Sequence, residues 1–208
     1  MSLLVILCGH EFDPQWRDNI KTMGSFFGEN AHFCGISNKD DFHHYEDLVA
    51  FQYKIINPKG QWSKVCDFIT DHSSELSYDW FVKIRPDFKL LAPIDWDKMR
   101  VDAMNARARV YHGPDHIPHG TSIKGEGRWK NINDIHYDER VHDVVLDDQC
   151  FIFHQRVVKQ NGLAKVNPEE RENEWFMTQT LHDRGIALNV VGIHAVLSKY
   201  NCFSGDIP

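Results

Sequence analysis

Arg85-Pro86-Asp87 places a cation and a carboxylate on either side of a proline, directly after a buried apolar run. Arginine can bond a phosphate or a carboxylate through two N–H groups, while the proline fixes the turn and aims the aspartate beyond the run. Carboxylate oxygens suit Mg²⁺ or Mn²⁺, and such a cation would bridge Asp87 to a diphosphate. The same spacing also permits a local ion pair that only closes a strand. The tripeptide therefore predicts one of two things, a metal and diphosphate site or a structural ion pair.

The remaining candidates share one position, because each lies at or directly after a stretch that the sequence predicts as a strand. In open α/β sheets ligands bind outside the carboxyl ends of the strands, which makes these positions the ones to weigh. Loops after strands are polar by default, so any single member can simply face water. The set comprises Gly9 and His10, Ser37 and Asn38, Asp147 and Asp148, and His194.

The elements that must position these residues alternate along the chain. Apolar runs that predict strands cover 3–8, 31–36, 51–56, 79–84, 144–153 and 186–193. Helical spacing of apolar residues predicts helices between them, and the first begins at Asp13-Pro14, a cap followed by a helix-starting proline. This alternation predicts one α/β domain over 1–208 with a central, mostly parallel mixed sheet flanked by helices. The sequence can also be a fragment of a longer protein.

Composition excludes several partners. The 23 basic and 30 acidic side chains give a formal charge of −7, which would repel a nucleic-acid backbone. The apolar run 3–8 is too short for a signal peptide or a membrane span. The cysteines number five, an odd count, and they are widely spaced, which favours buried free thiols in a reducing compartment. We therefore expect a cytoplasmic protein that neither enters membranes nor binds nucleic acid; its oligomeric state stays open.

A long segment from 105 to 140 has no helical or strand pattern, which predicts a lid or an acceptor-side loop. It contains His112, His116 and His119, but prolines and a glycine between them make a poor scaffold for zinc. We therefore favour a mobile acceptor loop, in which Trp129 and Tyr137 could stack on a sugar.

The run Tyr78-Asp79-Trp80-Phe81-Val82-Lys83-Ile84-Arg85-Pro86-Asp87-Phe88 resembles the YDWVIRxRxDL signature of bacterial and viral glycosyltransferases with a GT-A fold, viral enzymes of capsid-glycan synthesis among them. The opening strand with its glycine turn, the acidic stretch 147–151 and a helix ending at Gly185-Ile186 resemble further features of these enzymes, in the same order. The resemblance covers nearly the whole chain, although only the central motif is specific.

This resemblance implies a GT-A-like, Rossmann-like domain that uses a nucleoside diphosphate sugar, UDP-linked by expectation, with Mn²⁺ or Mg²⁺ and a glycan acceptor. Asp87 takes the place of the second acid of the family's DxD metal motif, whereas Arg85 replaces the first. Histidines near the carboxyl terminus supply a further metal ligand in several such enzymes, so His194 is the expected second ligand. Imidazole suits Mn²⁺ better than Mg²⁺.

The expected division of roles follows. Gly9, His10, Ser37, Asn38, Arg85 and Asp87 would bind the nucleotide sugar, and Asp87 with His194 would bind the metal. Arg85 would neutralise the leaving phosphates. Asp148, beside Asp147, is the candidate general base if the reaction inverts, or the anchor of a sugar hydroxyl if it retains. Adjacent residues of a strand face opposite ways, so one of the two is expected to reach the cleft.

Two other functions stay open. A metal-dependent nucleotidyltransferase or phosphohydrolase would want a glycine- and lysine-rich phosphate loop after the first strand, and Gly9-His10-Glu11-Phe12 is not one. A non-catalytic sugar-binding module would keep the acids without using them. Glu172 and Glu174 are weaker catalytic candidates, since acids in the first turns of a helix usually serve its dipole.

Overall fold

The computed structural model describes residues 1–111, 143–166, 174–197 and 202–203. The first half of the chain contains β1 (Leu3–Cys8), α1 (Arg17–Phe27), β2 (Ala31–Ser37), β3 (Phe51–Ile56), α2 (Gln61–His72) and β4 (Trp80–Ile84). The second half contains β5 (Phe88–Leu90), β6 (Ala103–Tyr111), β7 (Asp143–His154), α3 (Gln155–Lys159), α4 (Glu174–Asp183), β8 (Ala187–Val190), β9 (Ala195–Leu197) and β10 (Cys202–Phe203).

A central sheet of seven described strands has the order β3-β2-β1-β4-β7-β6-β8. Every neighbouring pair is parallel except the two that involve β7, which runs against both β4 and β6. The chain leaves β1 toward β2 and later returns to the other side of β1 as β4, so the strand order reverses between β1 and β4. Such a reversal opens a crevice at the carboxyl ends of the two strands.

Helices cover both faces of the sheet because its inner strands are apolar on both sides. In β1 all six residues are buried. Alternate residues of β1 enter two separate cores, one with α2, α3 and α4 and the other with α1 and β5. A small antiparallel sheet with the order β10-β9-β5 lies on the α1 side. The predicted fold class, a mostly parallel mixed sheet flanked by helices, is confirmed.

Most predicted elements are present with small shifts in their ends. Asp13 caps the predicted first helix by accepting a hydrogen bond from the Gln15 amide at 2.9 Å, and a 3₁₀ turn over Pro14–Trp16 leads into α1. The third strand occupies the predicted residues, 51–56. Four cysteines, Cys8, Cys34, Cys66 and Cys150, are buried free thiols, as expected for these four.

Three expectations about the second half of the chain were wrong. The expected loop from 105 begins as a strand, since β6 continues to Tyr111 paired with β7. The expected final strand stops at Val190, and the chain then forms β9 and β10. The sequence reading also missed β5, a strand of three residues too short to show alternation. No helix among the described residues is long and apolar enough to cross a bilayer.

Candidate functional site

A pocket of about 290 Å³ opens where the strand order reverses, at the carboxyl ends of β1 and β4. One wall is the loop after β1, and the other is the turn after β4. The lining residues are Gly9, His10, Glu11, Asp13, Gln15, Trp16, Arg85, Pro86 and Asp87. The crevice that the topology predicts is therefore a real cavity, and four of the predicted site residues line it.

The two walls touch at Gly9. A β-carbon built on Gly9 would lie 2.9 Å from the Pro86 Cδ atom and 3.1 Å from the Glu11 carbonyl oxygen. Real β-carbons do not approach other atoms so closely, and the backbone allows no easy retreat. Glycine at this position thus permits the turn after β4 to pack directly against the end of β1.

The loop after β1 is fixed from behind by an aromatic cluster. The Phe12 ring packs edge-on against Phe42 and Tyr45, with ring centroids 5.1 and 5.6 Å away. The buried Asp41 carboxylate accepts the Phe12 amide at 2.7 Å, and the Tyr45 hydroxyl donates to the Asp13 carbonyl. These contacts hold Glu11 and Asp13 at the pocket wall, because the chain between them is anchored.

Arg85 and Asp87 form a bidentate ion pair inside the pocket wall. Arg85 Nε donates to Asp87 Oδ1 at 2.7 Å and Nη2 donates to Oδ2 at 2.5 Å. The Asp87 side chain is 6% exposed and the Arg85 side chain 28%. Burial alone would lower the pKa of Arg85, but the hydrogen bonds from Arg85 to Asp87 raise it overall. Both residues therefore stay charged, and both face the cavity.

The chain contains a second pair of the same spacing, which separates local geometry from location. Arg100 bonds Asp102 through the same two nitrogens at 3.1 and 3.0 Å, but these side chains are 53% and 51% exposed. An Arg-x-Asp fork is thus a local preference that this sequence uses twice. The site is distinguished by the burial of Asp87 and by the pocket around it, and the pairing itself does not mark it.

Asp147 and Asp148 lie in a bulge of β7. Ala106 pairs with Phe151 and Ala108 with Leu146, so one residue of β6, Arg107, faces the four residues 147–150 of β7. Bulges of this kind redirect side chains, often beside active sites. The bulge projects beyond the end of β4, where the Arg85 amide donates to the Gln149 carbonyl at 3.1 Å. The acids thus lie at the same sheet edge as Asp87.

The two acids of the bulge have different surroundings. Asp147 is fully buried, and it forms an ion pair with Arg107, whose side chain is 1% exposed. Asp147 Oδ1 also accepts the Gln149 amide at 3.1 Å, which closes the bulge. The expectation that Asp147 takes part in catalysis has no geometric support, since no ligand can reach a carboxylate enclosed in this way. Asp148 is half-exposed, in agreement with the expectation that one of the two reaches the cleft.

A buried lysine fixes the backbone of Asp148. Lys83 Nζ donates to the Asp148 carbonyl and to the side-chain oxygen of Gln61, the first residue of α2. Burial lowers the pKa of Lys83, and the negative charge of Asp148 opposes that change. Lys83 thus ties the bulge of β7 to the amino-terminal end of α2.

A second buried lysine acts on the other side of the pocket. Lys64, from the second turn of α2, donates to the Gly9 carbonyl at 2.6 Å and to Asn38 Oδ1. The Asn38 amide nitrogen donates to the His10 carbonyl at 3.3 Å. Ser37 is fully buried, and its hydroxyl makes only a long 3.5 Å contact to the same carbonyl. Ser37 therefore supports the loop and does not meet a ligand directly, which corrects its predicted role.

His10 lies at the pocket surface between the two sides. The surrounding protein lowers the pKa of His10, and the cations Lys64 and Arg85 lower it further. A hydrogen bond with the Asn38 side chain acts in the opposite direction. At neutral pH the ring is therefore uncharged, and it can donate or accept a hydrogen bond in the pocket.

His194 is not a partner of Asp87, which overturns its predicted role as a metal ligand. Its carbonyl accepts the Leu91 amide at 2.8 Å, just beyond the end of β5. Asp87 precedes the other end of β5, so four residues, about 13 Å at ~3.3 Å per residue, separate the two positions. Both side chains cannot reach one cation over that length, and His194 is exposed. The argument for Mn²⁺ from an imidazole ligand disappears with it.

The donor set was tested for a divalent cation. Within the described ranges no three histidine, cysteine or acidic residues form a ready-made metal site. Both Asp87 oxygens bond Arg85, yet each keeps a free lone pair, and Glu11 and Asp13 line the same pocket. Mg²⁺ and Mn²⁺ are commonly held by one or two carboxylates together with substrate phosphates and water. The residues therefore fit a cation that arrives with a phosphorylated ligand.

Some expectations fall outside the described residues. They concern the loop residues His112, His116, His119, Trp129 and Tyr137, and the acid Glu172. The backbone of Glu174 begins α4.

The sequence reading missed the residues that support the pocket from inside. Lys64, Lys83 and Arg107 are 0–1% exposed. In the sequence they look like ordinary charged residues of a helix face and of two strands. One signal was present for Lys83, because a lysine in the middle of an apolar central strand has no water to reach.

No family model and no curated protein matches the sequence. Solved structures do resemble it. A putative glucose-1-phosphate thymidylyltransferase from Bacillus anthracis matches with a TM-score of 0.56 at 10% identity, over 95% of this chain and 89% of that one. A nucleoside-diphosphate-sugar pyrophosphorylase from Vibrio cholerae RC9 matches with a TM-score of 0.51 at 11% identity, over 90% of each chain. At such identities the likeness shows that this chain has the Rossmann-like α/β fold of those proteins.

Proposed function

We propose that this protein binds a nucleoside diphosphate sugar with a divalent cation and transfers the sugar to a hydroxyl group of a glycan acceptor. The observation that carries the proposal is the pocket at the β1 and β4 ends, with the Arg85 and Asp87 pair in its wall. The likeness to two proteins whose names refer to nucleotide sugars or their synthesis supports a ligand of this class. The resemblance of 78–88 to glycosyltransferases supports the reaction.

The charges around the pocket support a requirement for the cation. Glu11, Asp13 and Asp87 line it, and the whole chain carries a formal charge of −7. A free diphosphate would be repelled by these acids. A divalent cation bound by Asp87 and the phosphates supplies the missing positive charge and stabilises the leaving group. With oxygen donors alone, Mg²⁺ and Mn²⁺ both fit.

Arg85 holds the phosphates from the protein side. Asp87 occupies the edge of the guanidinium that carries Nε and Nη2, so the Nη1 edge can bond a second anion. Because Asp87 also fixes the guanidinium plane, the arginine needs no reorganisation as negative charge grows on the departing diphosphate. The pair is thus a positioned cation, in addition to a possible metal ligand.

Asp148 supplies the acid-base group if the transfer inverts. The carboxylate takes the proton of the acceptor hydroxyl while its oxygen bonds the anomeric carbon, and the bond from that carbon to the diphosphate breaks. If the reaction retains configuration, the same carboxylate holds a sugar hydroxyl and stabilises positive charge on the ring. Lys83 supports either role by fixing the Asp148 carbonyl.

Transfer of a nucleotide to a sugar phosphate is the second candidate, because both solved structures carry names of that kind of enzyme. That reaction must hold a nucleoside triphosphate, whose extra charge calls for basic groups in the loop after β1. Here that loop presents Glu11 and Asp13 to the pocket. The local charge therefore favours sugar transfer.

Paired assays separate these functions. One follows release of UDP from UDP-sugars with Mg²⁺ or Mn²⁺ and a panel of glycan acceptors; the other follows pyrophosphate from nucleoside triphosphates and sugar 1-phosphates. We expect nucleoside diphosphate release only. Pyrophosphate release would replace the proposal with nucleotide transfer. Nucleotide binding without turnover in either assay would identify a sugar-binding module. The acceptor panel includes capsid-type glycans, which tests the narrower viral resemblance.

A further inference from the structure

Lys64 determines which way the Asn38 side chain faces. The lysine is fully buried, and its ammonium donates to Asn38 Oδ1 and to the Gly9 carbonyl. An ammonium group has donors only, so the atom of the Asn38 amide that meets it must be the oxygen. The oxygen and nitrogen of an asparagine amide are otherwise easily exchanged by rotation, and here that exchange would place two donors against each other.

His10 provides an independent indication of the same orientation. The Asn38 side chain hydrogen-bonds the His10 ring, and this bond alone acts to raise the pKa of that ring. An acceptor has this effect, because it favours the ring form that carries more N–H groups. Asn38 Oδ1 therefore serves both Lys64 and His10. The Nδ2 group, with its two N–H donors, is left for whatever meets this half-exposed side chain.

The position of Asn38 matches that of a nucleobase. Asn38 follows β2, while Arg85 and Asp87 follow β4, and β1 lies between these two strands. Two strand spacings correspond to about 10 Å at ~4.8 Å each. A nucleoside diphosphate has a comparable span from its phosphates to the far edge of its base. With phosphates at Arg85 and Asp87, the base edge comes to the Asn38 side, past His10.

We propose that Asn38, held in one orientation by Lys64, selects nucleotides whose base presents a carbonyl oxygen, and so prefers uracil to cytosine. This inference rests on the proposed nucleotide site and adds its base specificity. Uracil and cytosine have almost the same shape, but the exocyclic group of uracil accepts a hydrogen bond whereas that of cytosine donates one. The fixed Nδ2 donors pair with the first and oppose the second.

The test compares the dissociation constants of UDP and CDP, measured by calorimetry with Mg²⁺, for the wild-type protein and two variants. We expect the wild type to prefer UDP by about tenfold, the effect of one hydrogen bond gained and one unpaired donor avoided. Asn38→Asp keeps the acceptor for Lys64 but removes the outward donors, so the preference should reverse toward CDP. Lys64→Met frees the amide to rotate, so the preference should fall toward equality without reversing.

Asn30→Asp is the matched control, because Asn30 is exposed before the opposite end of β2. It should keep the wild-type ratio. Equal binding of UDP and CDP by the wild type, or an unchanged ratio in Asn38→Asp, would overturn the inference and leave the nucleotide site standing. Failure of the wild type to bind UDP, CDP, GDP or ADP at all would overturn the proposed function and this inference together.

Discussion

Two buried Arg–Asp pairs lie at the same edge of the sheet, and they differ in what can reach them. The Arg107 and Asp147 side chains are 1% and 0% exposed, whereas Arg85 is 28% exposed beside Asp87 at 6%. The first pair is sealed in the bulge of β7, and the second forms part of a cavity wall. The same two residue types therefore serve stability in one place and are available to a ligand in the other. Access to the cavity, which pairing alone does not provide, distinguishes the two.

Asp147→Asn should produce the largest effect on stability. It leaves the Arg107 guanidinium charged and buried without its carboxylate, which typically costs about 3–5 kcal/mol of unfolding free energy. Urea denaturation measures the loss. Asp102→Asn, in the exposed pair, should change stability by less than about 0.5 kcal/mol. Equal losses in the two variants would show that the enclosure of the Arg107 pair does not matter.

Asp87→Asn should weaken binding more than it weakens the fold. The partly exposed Arg85 can be solvated when its partner loses charge, so the loss of stability should be well below that of Asp147→Asn. Metal-dependent affinity for a nucleoside diphosphate should fall by at least about 100-fold, because loss of an outer-shell group alone costs up to that much. Calorimetry with and without Mg²⁺ measures it. Unchanged affinity would remove Asp87 from the proposed site.

Asp148→Asn should lower turnover and spare nucleotide binding. Positioned proton transfer typically contributes at least about 100-fold, and the amide cannot take the proton. The ratio of kcat values measures the effect, with the nucleotide dissociation constant as the control. A variant that turns over like the wild type would leave the bulge with a structural role only, like that of Asp147.

His10→Gln should change the pH dependence of stability slightly. The pKa of His10 is lowered in the folded protein, so the unfolded chain binds more protons and stability declines as the pH falls below about 6.5. The variant should lose less stability than the wild type between pH 7.5 and 5.5, measured by urea denaturation. Parallel curves would show that His10 is as easily protonated in the fold as in water.

Much of this protein followed from local patterns. Continuous apolar runs identified β1 and β4, the Asp13-Pro14 step identified the start of the first helical segment, and the strand ends identified Gly9, His10, Arg85 and Asp87. These succeed because side-chain periodicity and capping act over a few neighbouring residues, and because a parallel sheet brings the carboxyl ends of its strands to one edge.

The tertiary structure decided the rest. The Arg85-Pro86-Asp87 spacing allowed an ion pair or a ligand site, and burial in the cavity wall made it both. His194 lost its role because β9 pairs with β5 in a register that no local pattern encodes. Asp147 lost its role because Arg107 meets it across the β7 bulge. Hydrogen bonds and ion pairs between residues distant in the sequence depend on chain packing, so Lys64 and Lys83 acquire their functions only in the fold.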